Sequence, residues 1–114
     1  MTGAQGRREP LSDGSAVKAA AMRRVFLTDL ATRLADIERL AGRLERAEIS
    51  AHEVLIVLQA QLHDIKGCGQ PYGVPRATDL ARFYEARLAG LQPEPRAVAE
   101  ILAEAAAAFR RLLS

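Results

Sequence analysis

The sequence predicts an all-α protein: an up-down antiparallel four-helix bundle with an N-terminal helical extension or flexible tail. Three observations lead there. Ala and Leu dominate a chain that is 49% hydrophobic and only 4% aromatic, with no Trp, a composition that favours helices over strands. Apolar residues return every three or four positions through four successive segments. Gly and Pro gather at the few places between those segments, where they punctuate the chain. With 114 residues there is room for one domain, so any ATP-using machinery is expected on another chain.

Residues 1–15, which mix Gly, Pro, Ser and charge without periodicity, are expected to form a flexible tail, and residues 16–114 the bundle. The first helical pattern runs to Ala47. Met22, Phe26, Leu30, Leu34, Ile37, Ala41 and Leu44 lay down one apolar stripe, either on one long helix or on two joined near Ala21. A second helix starts near Ala51. Ser50 and Glu53 have the spacing of a capping box, and Ile49 with Val54 that of a hydrophobic staple. Val54, Leu58, Leu62 and Ile65 share its buried face, with Leu55 beside them. Pro71 has no N–H to offer the carbonyl of Gly67, so the helix kinks or ends there.

Pro75 opens a third helix with Leu80, Tyr84 and Leu88 at intervals of four, and Gly90 stops it. Leu91 to Pro95 form a loop. Pro95 opens the fourth helix, whose stripe is Val98, Ile101, Leu102, Ala105, Phe109 and Leu112. Short links between amphipathic helices give antiparallel neighbours.

Charge and composition exclude several function classes. The net charge is only +2, and Arg alternates with Asp and Glu along the chain, which describes a solvated helical surface and no nucleic-acid stripe. Few aromatics argue against base-stacking platforms and aromatic-lined ligand pockets. No apolar run is long enough to span a membrane, and the N-terminus has no apolar core of a secretory signal. A cytoplasmic monomer is expected. Cys68 has no partner cysteine and reads as a small packing residue, with redox sensing as a minor alternative.

Successive 100° steps along the second helix put His63 opposite the apolar stripe, facing solvent. Gln59, Ala60, Gly67 and Gln70 share its face, so the surface around the imidazole is small or polar, and Gly67 leaves bare backbone one turn on. Such a flat patch suits docking by another protein better than enclosure of a small substrate. The chain uses fourteen Arg and two Lys, yet one of those lysines, Lys66, sits a turn from His63. There a compact ammonium on a flexible stem can follow a phosphoryl oxygen as a point charge. If the second and third helices form a hairpin turning near Val74, Glu85 lies level with His63, both being eleven residues from the turn. Its carboxylate can then accept a bond from Nδ1–H and leave Nε2 as the nucleophile. The plainer alternative pairs Glu85 with Arg82 or Arg87. His52 lies on nearly the same face about 16 Å away, with Leu55 and Ile56 where His63 has Lys66 and Gly67, and reads as a first-turn surface residue.

The run His63-Asp64-Ile65-Lys66-Gly67-Cys68-Gly69-Gln70-Pro71-Tyr72-Gly73 resembles the signature of histidine-containing phosphotransfer (HPt) domains: His-x-x-Lys-Gly and a further Gly six residues on. It is most similar to the amino-terminal phosphotransfer domain of chemotaxis-type histidine kinases, including an aromatic, Tyr72, before the second Gly. The resemblance covers about residues 22–114. Leu62, where the family usually has a small residue, and Pro71 depart from the pattern.

The resemblance implies a stand-alone carrier in a two-component phosphorelay. His63 accepts a phosphoryl group from one receiver-domain aspartate and passes it to another, Lys66 stabilises the phosphoryl charge, and Glu85 orients the ring. The implied partners are response-regulator receivers and a hybrid histidine kinase. No cofactor is expected in this chain; Mg²⁺ is expected on the receiver. The alternative is a non-catalytic helical protein that docks on a receiver or kinase and inhibits or scaffolds it.

Overall fold

The computed structural model describes the backbone of residues 3–114 and the side chains of residues 14–114; the tail expected over residues 1–15 lies mostly outside those side chains. Four helices follow one another: α1 (Gly3–Glu45), α2 (Ala51–Gly69), α3 (Pro75–Leu88) and α4 (Pro95–Leu113). They alternate in direction, with α2 packed most extensively on α3 and α1 on α4, the antiparallel bundle that the short links dictate.

The first segment is one helix without a break at Ala21. Its buried stripe is Phe26, Leu30, Leu34, Ile37, Leu40 and Leu44. Two expected members are corrected. Met22 is exposed, because at this end of α1 it is Ala20, Arg23 and Arg24 that face Arg110 and Leu113 of α4, and Leu40 takes the place given to Ala41, which is half-buried. The helix ends at Glu45, two residues before the expected Ala47. Ala47 is left-handed at φ 58°, and Glu48 N–H reaches back to the Arg43 carbonyl at 2.8 Å, a Schellman-type closure that satisfies the last carbonyls.

The start of α2 is the predicted capping box: Glu53 N–H donates to Ser50 Oγ at 3.1 Å, and Ser50 N–H to Glu53 Oε1 at 3.3 Å. Val54, Leu55, Leu58, Leu62 and Ile65 are buried. The helix stops at Gly69, ahead of Pro71. Gly73 takes φ 87° in the turn, where Val74 N–H donates to the Gly69 carbonyl at 2.7 Å. Tyr72 from this turn stacks on Phe26 of α1 with ring centroids 6.1 Å apart, which ties that end of the hairpin to the first helix.

On α3 the buried residues are mostly small: Ala77, Thr78 and Ala81 precede Tyr84 and Leu88, while the expected Leu80 is only half-buried. Small side chains let α3 approach α2 closely, and that approach sets the site. Glu94 caps α4 by accepting from Arg96 and Ala97 N–H. From α4, Val98, Ile101, Leu102, Ala105 and Phe109 complete the core, with Leu112 partly buried.

Candidate functional site

The apolar face of α2 is turned inward by its burial, so the opposite face must carry what lies 180° away. His63 is there, its side chain 73% exposed. Gln59, Ala60, Gly67 and Gln70 are all exposed on the same side, and a Cβ placed on Gly67 would meet nothing within 4 Å. The surface beside the imidazole is thus an open shelf with bare backbone. Exposed Ile56 extends it two turns toward the helix start.

The α2–α3 hairpin turns where the spacing argument put it. It brings Glu85 to His63, with Oε2 3.7 Å from Nδ1, and the other carboxylate oxygen, Oε1, accepts from Lys66 Nζ at 2.7 Å. The Lys66 ion pair is therefore the short contact, and the His63 approach is longer than a hydrogen bond. Burial follows the same order: the Lys66 and Glu85 side chains are 33% and 25% exposed, far less than His63. The two arginines named as the alternative partners of Glu85 are engaged elsewhere, Arg82 with Asp79 and Arg87 with Glu104. The Arg87 hydrogen bond holds the Glu104 carboxyl below its ordinary pKa, and Tyr84 OH also donates to that carboxylate at 3.1 Å.

Chemically, one carboxylate shared by an ammonium and an imidazole can do two things. It fixes the position of Lys66, and it offers negative charge near Nδ1, which favours a proton there and leaves Nε2 with its lone pair free. Nothing in the fold encloses the ring, which stands open to solvent. Among the described residues no group of three or more His, Cys, Asp and Glu side chains is arranged to hold a metal ion.

His52 is exposed in the first turn of α2, without an acid–base arrangement of its own. Cys68 is half-buried and packs against the core. Two features were not legible beforehand. Arg33 of α1 braces α2 next to the histidine, donating to Gln61 Oε1 at 2.7 Å and Asp64 Oδ2 at 3.3 Å while also bonding Asp29; the Asp29 bond raises its pKa further above an already high value. Such a brace joins residues some thirty positions apart and leaves no local pattern. The other is Thr78, whose only sequence signal is a hydroxyl on the buried face of α3.

No curated protein and no solved structure matches the chain. A profile of the Hpt domain matches residues 21–111, a span that contains most of the packed part of α1, the whole of α2 and α3, and nearly all of α4. With a match over most of its length, with His63, Lys66 and Gly67 on an open face of the second helix, the chain belongs to the Hpt domain family.

Proposed function

We propose that the chain carries a phosphoryl group on His63 Nε2 between receiver-domain aspartates. Family membership supports a histidine phosphotransfer role in a phosphorelay. The observation that carries the finer assignment is the pairing of an exposed imidazole with a shared carboxylate and ammonium, Glu85 and Lys66, beside an unobstructed glycine. A merely docking protein has no use for that chemistry.

In the proposed step the Nε2 lone pair attacks the phosphorus of an aspartyl phosphate. The N–P bond forms as the P–O bond to the aspartate breaks, and the electron pair leaves with the regenerated carboxylate. The Nδ1 proton stays on the ring, which becomes cationic, and the Glu85 carboxylate stabilises that charge. Lys66 neutralises part of the charge on the phosphoryl oxygens as they pass His63. Return to a second receiver reverses every bond change. Mg²⁺ held by the receiver would neutralise the phosphoryl oxygens further. Gln59, Ala60, Gly67 and Gln70 form the surface on which the receiver rests, with exposed Ile56 as its apolar element.

The test is to incubate the protein with receivers charged by a small-molecule phosphodonor and to look for an acid-labile, base-stable phosphoprotein. The wild-type chain and His52→Gln should label alike, and His63→Gln should remain folded and unlabelled, since an exposed side chain contributes little packing. Label on His52, or a docked but unlabelled wild-type chain, would refute the assignment and favour the inhibitor reading.

A further inference from the structure

Thr78 is the one buried polar residue among the described side chains, 4% exposed. It stands seven residues before Glu85 on α3, two helical turns along the face turned to α2. Its hydroxyl oxygen accepts from Gln70 N–H at 2.8 Å, and the hydroxyl donates to the Lys66 carbonyl at 3.1 Å. In a regular helix those two backbone groups, four residues apart, bond directly to one another. Here the threonine hydroxyl stands between them. Gly69 permits it: a Cβ at that position would come within 2.5 Å of Thr78 Oγ1.

Lys66 is thereby held by α3 at both ends, its carbonyl through Thr78 and its ammonium through Glu85. We propose that Thr78 is a positioning residue of the phosphotransfer site, its hydroxyl fixing the backbone at Lys66 so that the Lys66 ammonium keeps its place relative to His63 and Glu85. The inference rests on the proposed phosphotransfer role and extends it to a residue that touches neither the phosphoryl group nor the partner. Without the hydroxyl, Gln70 N–H and the Lys66 carbonyl either lose their partner or close on each other. Direct closure tightens the turn and shifts Lys66 against Glu85. Because Lys66 acts on a passing phosphoryl group, its displacement should slow transfer while leaving the exposed docking face intact.

The experiment compares Thr78→Val, Thr78→Ala and Thr78→Ser with wild type in single-turnover transfer from a phosphorylated receiver at saturating concentration, beside receiver affinity and thermal unfolding. Thr78→Val and Thr78→Ala should transfer about tenfold more slowly with receiver affinity changed less than about twofold, and Thr78→Ser, which keeps the hydroxyl, should recover most of the rate. Thr78→Ala keeps the test valid should valine fail to fold, because it cannot overpack the site. Nitrogen NMR of the Lys66 side chain should show the ammonium signal of wild type retained in Thr78→Ser and altered in Thr78→Ala. A folded Thr78→Ala that transfers at the wild-type rate overturns the inference, and so does a serine variant as slow as alanine or a loss confined to affinity. Failure of the wild-type chain to label is a different result, which removes the phosphotransfer role itself and this inference with it.

Discussion

Two glycines, two residues apart on α2, should respond to substitution in opposite ways, and the structure gives the magnitudes. At Gly67 an added Cβ meets nothing within 4 Å; at Gly69 it would lie 2.5 Å from Thr78 Oγ1, 2.8 Å from Thr78 N and 2.9 Å from the Val74 carbonyl oxygen. Two of those three atoms are backbone and cannot rotate away. Restoring ordinary contact means opening the α2–α3 hairpin by most of an ångström where it is most closely packed, and overpacking of that kind costs about 1–3 kcal/mol. Replacing a helical glycine by alanine returns at most about 1 kcal/mol, less at a helix end. Gly69→Ala should therefore be destabilised by about 1–2 kcal/mol, lowering Tm by roughly 5–15 °C for a domain of this size. Gly67→Ala should gain up to about 1 kcal/mol. Gly67→Gln should keep the fold and weaken receiver binding by at least about tenfold, because its side chain projects from the shelf beside His63. Thermal unfolding of all three variants, with receiver affinity measured for the two Gly67 variants, decides it. A Gly69→Ala protein as stable as wild type would show that the hairpin is looser than its geometry implies. A Gly67→Gln protein that binds receivers normally would show that docking does not use this face.

Lys66→Ala should slow single-turnover transfer more than it weakens docking, with Lys66→Arg recovering only part, because a point charge that follows the phosphoryl oxygens is needed chiefly during transfer; rates measured beside binding constants check this. Glu85→Gln removes the negative charge shared by Lys66 Nζ and His63 Nδ1 while keeping the shape, so transfer should slow without being abolished. Nitrogen NMR of the unphosphorylated ring should register a shift in its Nδ1–H and Nε2–H populations. Glu85→Ala should be slower still. Unchanged ring populations and rates in both Glu85 variants would reduce that residue to the counterion of Lys66.

The long-range braces differ in kind from the residues at the shelf. Arg33 ties α1 to the α2 turn that carries His63 through Gln61 and Asp64, and Tyr72 stacks on Phe26 at the end of the same helix. Both hold the helix that carries His63 against α1 and so back its exposed face from behind. The Arg33 guanidinium is shared among three acceptors and partly solvated, so it restrains the helix more than it stabilises the fold.

The sequence alone determined what depends on local pattern. The 3.6-residue period gave four helices and their inward faces. The Ser50–Glu53 capping box placed the start of α2, and Pro71 set a kink or an end for it there; the helix stops two residues earlier, at Gly69. Once α2 had a face, His63 had to point to solvent, and the turn near Val74 put Glu85 level with it, because equal arc lengths from a hairpin turn are a property of the chain itself. Tertiary structure decided the rest. Periodicity assigned Met22 and Ala41 to the stripe of α1, but which residues are covered depends on the side from which the other helices approach it; hence Met22 is exposed and Leu40 replaces Ala41. Likewise, levelness does not choose a partner. That Glu85 bonds Lys66 at 2.7 Å and stands 3.7 Å from His63 follows from the rotamers of long side chains competing for one carboxylate, and that Thr78 enters the α2 backbone follows from the closeness Gly69 permits. Periodicity fixes direction around a helix axis, whereas distances of a few tenths of an ångström between side chains exist only once two helices have packed.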